Sequence, residues 1–368
     1  MIYADNAATT QLDMDAFEAM KPFLLEDYGN ASQPYSFAKA GKKALKQARV
    51  MIADCIGAMP EEIYFTSGGT ESDNWAIKGI MLGSNGSMIT SEVEHHAVLH
   101  ACRAVEDLGG KVLYLPVNRR CEVQPEVLKA VITSDTRLVS VMMANNEVGS
   151  IQPIEELSRI SHKMGALFHT DAVQAAGHVE IDVNRLGVDL LSASAHKFNG
   201  PKGIGFLYIR KGTAIGPYMD GGSQEAGMRG GTENVAAIVA MAAALRKNCE
   251  HMGENQIRMR KLEQIIDDIL RKEGIDFIRN GNLGIPGNIN LSIRDEEGEA
   301  LLHRLDLKNI YVSTGSACNS INTEVSHVIK AMKVPHKYEE GTIRISFGAG
   351  NTEEEAMEVA KALVEICK

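Results

Sequence analysis

Residues 188–210 read VDLLSASAHKFNGPKGIGFLYIR. The stretch holds an apolar run, then a histidine and a lysine, then two glycines around a proline, then a second apolar run. Each run is strand-length and apolar without alternation, which marks a strand covered on both faces. A strand of that kind belongs to a mostly parallel sheet sandwiched by helices. His196 and Lys197 then fall just past the carboxyl end of a strand, where open α/β sheets bind their ligands.

The same rhythm extends outward in both directions. EIYFT, SMIT, KVLYLPV, RLVSVMMA and ALFHTDA read as further strands. TESDNWAIKGIML, PEVLKAVI and PIEELSRISHKMG read as the helices between them. SEVEHHAVLHACRAVEDLGG reads as a helix opened by a Ser91–Glu94 capping box, with Val98, Ala101, Val105 and Leu108 on one apolar face. A helix-rich connector runs from about Glu233 to Lys272. Beyond it NINLSI, GEALLHRLD, NIYVST, TIRISFG and TEEEAMEVAKALVEIC describe a smaller α+β unit, against which the first dozen residues are expected to pack.

Composition narrows the function class. The 368 residues are 44% hydrophobic, enough for more than one core, and the net charge is −10 with no block of like charge. That balance offers no basic stripe for a phosphate backbone, so no direct nucleic-acid contact is expected. No run is long and apolar enough for a membrane span, and the start MIYADNAATT is not a signal peptide. The six cysteines are scattered with no C-x-x-C, which fits a reducing cytoplasm. Cys55, Cys102, Cys249 and Cys367 fall on predicted helices and read as structural, and Cys121 sits in a loop without supporting residues.

The chemistry gathers at strand ends. TSGGTES follows the first strand, and its glycines, Gly69 among them, let backbone amides approach an anion at a helix start, with Ser67 and Thr70 adding hydroxyls. It matches neither the dinucleotide nor the ATP phosphate-loop pattern. VSVMMANNEVG ends a strand in two asparagines, ALFHTDAVQ ends one with Asp171 followed by Gln174, and SASAHK ends one with Ser194, His196 and Lys197. A strand-end aspartate alone is as often a helix cap, and a lysine before a turn is more often surface. Together with an anion nest they meet the needs of pyridoxal 5'-phosphate (PLP): a Schiff-base lysine, an acid for the pyridine nitrogen, and amides and hydroxyls for the phosphate. His96 and His100 have metal-ligand spacing but lack the glutamate of H-E-x-x-H and a third ligand, so no metal is expected. His95, near a helix start, is placed to lie over a cofactor ring, a core or capping histidine being the other reading. Cys318, in the polar small-residue loop STGSACNS, suits a reactive thiolate.

In their order and spacing YADNAATT, GNASQPYSFA, FTSGGTESDN, SEVEHHAVL, NNEVGSIQPI, HTDAVQAAG, SAHKFNGPKGIG, MRGGTEN, STGSACNS and IRISFG resemble the PLP-dependent cysteine desulfurases. The resemblance covers nearly the whole chain and is nearest to the NifS/IscS-like, iron–sulfur-cluster branch of the class V aminotransferase group. It implies an α/β fold of PLP-dependent transferase fold type I. A large domain over residues 15–250 would carry a mostly parallel seven-stranded sheet. A smaller α+β domain from residues 1–14 and 251–368 would carry the cysteine loop.

It further implies that Lys197 carries PLP, Asp171 pairs with the pyridine nitrogen, Gln174 meets the phenolic oxygen and His95 stacks on the ring. Gly69, Thr70, Ser194 and His196 would hold the phosphate, joined in a homodimer by Thr232 from the other subunit. Asn146 and Arg344 would grip the carboxylate of L-cysteine, and Asn146 would also lie beside the cofactor. Cys318 would accept the sulfur, leaving L-alanine, and pass it to iron–sulfur scaffold or tRNA-thiolation proteins. A transient cluster or sulfur held at Cys318 is part of that expectation, and the loop is expected to move between substrate and partner. Ala195 stands where the family often has glycine, so crowding of the phosphate region is expected. Three rival readings share parts of the pattern: a selenocysteine lyase, another class V aminotransferase with Cys318 incidental, and a non-enzymatic sulfur-relay or scaffold-binding protein.

Overall fold

The structure is a computed structural model, and it describes residues 1–314 and 325–368. In chain order the first elements are β1 (Ile2–Tyr3), α1 (Met14–Leu25), α2 (Lys39–Ile56), β2 (Ile63–Thr66), α3 (Gly69–Met81), β3 (Ser87–Ser91), α4 (His96–Asp107) and β4 (Lys111–Leu115). Next come α5 (Pro125–Val131), β5 (Thr136–Ser140), α6 (Ile154–Lys163), β6 (Leu167–Asp171), α7 (Val183–Leu186), β7 (Leu190–Ser194) and β8 (Gly205–Ile209). Helices α8 (Val235–Glu250) and α9 (Met252–Lys272) follow, then β9 (Phe277–Asn280), β10 (Asn288–Ile293), α10 (Gly298–Asp306) and β11 (Ile310–Tyr311). The chain closes with α11 (His327–Ala331), α12 (His336–Glu339), β12 (Thr342–Ser346) and α13 (Glu353–Cys367).

The seven-stranded sheet has the order β2-β8-β7-β6-β5-β3-β4. Strands β3 to β7 pair in parallel, and β8 runs antiparallel to both of its neighbours. β7 and β8 are buried at every residue, as their unbroken apolar runs require. One hydrophobic cluster wraps this sheet with residues from Ala16 to Ile285, and a companion behind α3 and α4 centres on Trp75. A further cluster joins Ile2 and Ala4 to α9, β10, α10, β12 and α13. There β9, β10 and β12 form an antiparallel sheet, and β1 pairs in parallel with β11. At the start of α13 the Thr352 hydroxyl accepts from the Glu355 amide at 3.3 Å while the Glu355 carboxylate accepts from the Thr352 amide at 3.1 Å.

Two local expectations fail for identifiable reasons. α4 begins at His96, not at Ser91, and its cap is His95, whose Nδ1 accepts the Ala97 amide at 3.1 Å. Ser91 instead donates to Glu94 at 2.6 Å, and Glu94 accepts the Met142 amide on both oxygens at 3.0 Å, tying the end of β3 to the chain after β5. Leu108 lies one residue beyond the helix and is 74% exposed, so it is not part of the apolar face that Val98, Ala101 and Val105 form.

Candidate active site

A cavity of about 520 Å³ opens at the carboxyl ends of β5, β6 and β7. On one side the chain leaves β2, turns through Gly68 at φ 151° and enters α3. A Cβ on Gly69 would stand 2.5 Å from Val173 Cγ2, so only glycine lets this helix start press against the loop after β6. The amino terminus of α3, with Thr70 beside it, therefore lines the cavity, and a helix start there offers backbone amides to an anion. Ser194 closes β7 on the same side, and His196 and Lys197 follow in one short turn.

The N-terminal segment locks that turn. The Thr10 amide and hydroxyl both donate to the His196 carbonyl at 2.9 Å, and His196 Nδ1 lies 3.2 Å from the Thr9 hydroxyl. Lys197 Nζ donates to the carbonyls of Ala7 and Ala8 at 2.7 Å each. The Gln174 amide donates to the same Ala7 carbonyl at 2.9 Å.

Charge on the cavity floor is held in check by burial. Asp171, at the end of β6, is 4% exposed and accepts the Val173 amide at 2.8 Å. Burial lifts its carboxyl to about 6, against the opposing pull of that amide and of Lys197. Burial first, then Lys197 and the neighbouring histidines, lowers His95 to about 4. Its Nδ1 accepts a backbone amide, so the neutral ring carries its proton on Nε2. Burial and Lys197 likewise lower His196 to about 4.

The opposite wall comes from the far end of the chain. Arg344 on β12 is 3% exposed, donates to the Asn146 carbonyl at 2.8 Å and pairs with Asp5 at 2.7 Å. Its Nε is buried without a partner among the described residues.

The cavity thus brings together Gly69, Thr70, His95, Asn146, Asp171, Gln174, Ser194, His196, Lys197 and Arg344. Thr232 is exposed and lies outside it, in an adjoining recess that shares Ser67 and Gly203 with the cavity. Cys318 lies outside the described residues. The chain on either side of it is anchored at the cavity: Ser313 exchanges backbone hydrogen bonds with Arg344, and Ser326 donates to Glu147 at 2.6 Å. Sequence reasoning missed Asp5, the Ala7 and Ala8 carbonyls, Asp73, Glu147 and His327. YADNAATT carried the only signal for the first three. Ala195 does not line the cavity. It is fully buried in the main cluster, and a Cβ on Gly200 would stand 2.7 Å from its methyl, so the expected crowding of the phosphate region does not arise.

A lysine and a buried carboxylate facing one cavity, with a glycine-built helix start beside them, fit PLP: amine, acid and anion cradle each have a residue in place. The fold and this donor set define a PLP-dependent enzyme of fold type I. The class V aminotransferase family matches residues 2–359. The cysteine desulfurase IscS of Dictyoglomus turgidum is 48% identical over 372 residues, covering 99% of this chain and 94% of that one. That of Methanosarcina thermophila is 46% identical over 369 residues, covering 99% and 91%. Among solved structures, a NifS-like protein superposes with a TM-score of 0.93 at 39% identity over 99% of this chain and 98% of its own. SspA in complex with cysteine gives 0.85 at 35% identity over 94% and 99%. The chain belongs to the class V aminotransferase family and, within it, to the cysteine desulfurases, which depend on PLP.

Proposed function

We propose that the protein takes L-cysteine, releases L-alanine and receives the sulfur on Cys318 as a persulfide. The observation that carries the reading is the meeting of Lys197, Asp171, His95 and Arg344 at one cavity, with the chain on both sides of Cys318 tied to its wall. Bound at Lys197, PLP supplies an electron sink that acidifies the substrate Cα–H and takes up and returns the electron pair involved in breaking the Cβ–S bond.

The chain's own residues do the rest. Arg344 binds the substrate carboxylate, held in place by Asp5 and the Asn146 carbonyl. Lys197 takes up and delivers the Cα proton, and His95 moves a proton through Nε2. Asp171 balances the cofactor's ring nitrogen, Gln174 faces its phenolic oxygen, and Gly69, Thr70, Ser194 and His196 hold its phosphate. The Cys318 thiolate attacks the substrate sulfur, so an S–S bond forms as the C–S bond breaks. The electron pair of that bond and a proton remain with the carbon product, which leaves as alanine.

In the assembled enzyme, Thr232 completes the phosphate site of a second copy. Its position outside its own chain's cavity supports this, as do the exposed Met14, Phe17, Leu24, Leu25, Tyr28 and Phe37, which offer an apolar face for that copy. The chain is divided in this reading into a large domain over 15–250 and a smaller one from 1–14 and 251–368, a division that the separate cluster around Ile2, α9, β10 and α13 supports and that Ile285, packed in the main cluster, crosses. The persulfide passes to an iron–sulfur scaffold or tRNA-thiolation protein in the cytoplasm. No helix among the described residues is long and apolar enough to cross a membrane.

The test is to supply L-cysteine with a reductant and measure alanine and sulfide, then reduce the resting enzyme with borohydride and map the labelled peptide. Equal alanine and sulfide with the label on Lys197 is the expected result. Turnover that requires a keto acid, or a label elsewhere, overturns the reading. Cys318→Ala keeps the cofactor absorbance and forms no persulfide.

A further inference from the structure

The cavity floor holds a second carboxyl group. Asp73 on α3 lines the same cavity as Asp171 and is 1% exposed. Its Oδ1 has no hydrogen-bond partner among the described residues and stands 3.7 Å from His169 Nε2. The Ser192 hydroxyl neighbours the carboxyl group and works against the rise that burial imposes on it. Behind it, the Ser192 hydroxyl is 3.0 Å from His169 Nε2, and His169 Nδ1 is 2.8 Å from the Ser140 hydroxyl. Ser192, His169 and Ser140 are all fully buried. Asp73, Ser192, His169 and Ser140 therefore form one polar line beneath the sheet ends, through α3, β7, β6 and β5.

Two features decide where the proton sits. The acids acting on this line are Asp171 and Glu94, and the cations of the cavity are Lys197, Lys202 and Arg344. Asp171 already faces Lys197, Arg344 is paired with Asp5, Lys202 is exposed, and burial lowers His169 to about 3, so it carries no charge at neutral pH. A second carboxylate in that floor would be a buried charge without a counter-ion. An unpartnered oxygen is also far cheaper on a neutral acid than on an ionised one.

We propose that Asp73 is a positioning residue held as a neutral acid: through Ser192 it fixes His169 with its proton on Nδ1 and leaves the floor's negative charge on Asp171 alone. The line is then donor to acceptor throughout. The Asp73 acid donates to Ser192, Ser192 to His169 Nε2, and His169 Nδ1 to Ser140. An ionised Asp73 reverses every bond and puts the histidine proton on Nε2, so the tautomer of His169 reports the charge of Asp73. Burial and then the charge of Asp171 push Asp73 well above the usual carboxylate range, which agrees with this arrangement. The purpose of the arrangement, one carboxylate for one ring nitrogen, rests on the cofactor reading above.

The test is ¹⁵N-histidine NMR of the holoenzyme at pH 7 and 8, with His169 assigned by its loss in His169→Gln. The expected result is a protonated Nδ1 and a bare Nε2 at both pH values. A protonated Nε2 overturns the proposal, and this measurement needs no variant at Asp73. Asp73→Asn can donate to Ser192 as the acid does, so it keeps the wild-type tautomer and leaves the pH titration of the cofactor absorbance in place. A flipped tautomer or a displaced titration also overturns it. If borohydride fails to label Lys197, the cofactor reading falls, while the tautomer still decides the state of Asp73.

Discussion

The two sides of the cavity are built by opposite means. The floor is a row of strand ends from one sheet: Asp171 closes β6, Ser194 closes β7, and Lys197 follows one turn later. Hydrogen bonding within the sheet fixes these positions, and burial presses the titratable groups toward neutrality, with Asp171 raised to about 6 and His95 lowered to about 4. The wall joins chain segments 339 residues apart, and a salt bridge between Arg344 and Asp5 ties them together. A guanidinium cannot shed its charge, so it must be paired when buried. The floor can thus tune protonation because its positions are already secured. The wall uses its charges for its own assembly and, in the proposed function, for holding an anionic substrate group.

If that division is right, damage to the floor should strike the chemistry and damage to the wall should strike binding. The largest effect is expected at Asp171. On the proposed reading Asp171→Ala leaves the cofactor ring without its counter-ion, a loss on the order of 3–5 kcal/mol. Alanine production should then fall by about 10²–10³-fold or more while the chain stays folded by circular dichroism. A loss spread evenly over KM with kcat unchanged would place Asp171 in binding and erase the contrast.

The next effect is a pH dependence of stability. His95 is lowered from its ordinary 6.5 to about 4, so the unfolded chain binds a proton between those values that the folded chain refuses. The stability this group contributes is therefore present above pH 6.5 and is lost as the pH falls toward 4. Between pH 7 and pH 5 the His95 share of the change should be a loss of about 2 kcal/mol, read as the difference in urea unfolding between the parent and His95→Gln. Glu94, lifted by burial to about 8, acts with the other sign: its contribution is present below about 4.5 and fades as the pH rises through 8. His95→Gln isolates the first effect by removing its share of the slope. An unchanged slope in that variant means His95 is not buried neutral.

On the wall, Arg344→Lys keeps the charge but loses the fork that joins the Asn146 carbonyl to Asp5. Charge-assisted hydrogen bonds contribute about 1.5–3 kcal/mol, so KM for L-cysteine should rise by roughly 10–100-fold with a smaller change in kcat. Asp5→Asn should weaken binding less, since the carbonyl contact remains. A fall in kcat as large as that of Asp171→Ala would show that the wall shares in the chemistry.

The same contrast explains what could be read before the structure. Apolar runs announce a covered parallel sheet, and such a sheet places ligands at its carboxyl ends, so Lys197, Asp171 and Ser194 were legible as a group. Asp73 was not, because nothing in the periodicity of α3 shows that β6 and β7 place a histidine and a serine behind it. Asp5 was hidden for a similar reason, since its partner is set by how the two ends of the chain meet. The Ser91–Glu94 spacing misled because Glu94 satisfies the Met142 amide rather than a helix start. Cys121, an unsupported loop cysteine in the sequence, is fully buried beside Val93, Val148 and α11.

The smallest expected effect tests the boundary between floor and core. Ala195 precedes the lysine turn by two residues and sits in the main hydrophobic cluster, its methyl against Gly200. Ala195→Gly removes that methyl and frees the backbone, which should cost on the order of 0.5–1 kcal/mol of stability. A methyl that faces the core cannot touch the phosphate, so the affinity for PLP should stay within about twofold of the parent, a difference well under one tenfold step. Tighter cofactor binding in Ala195→Gly would mean that the methyl reaches the phosphate cradle and that floor and core are not separate there.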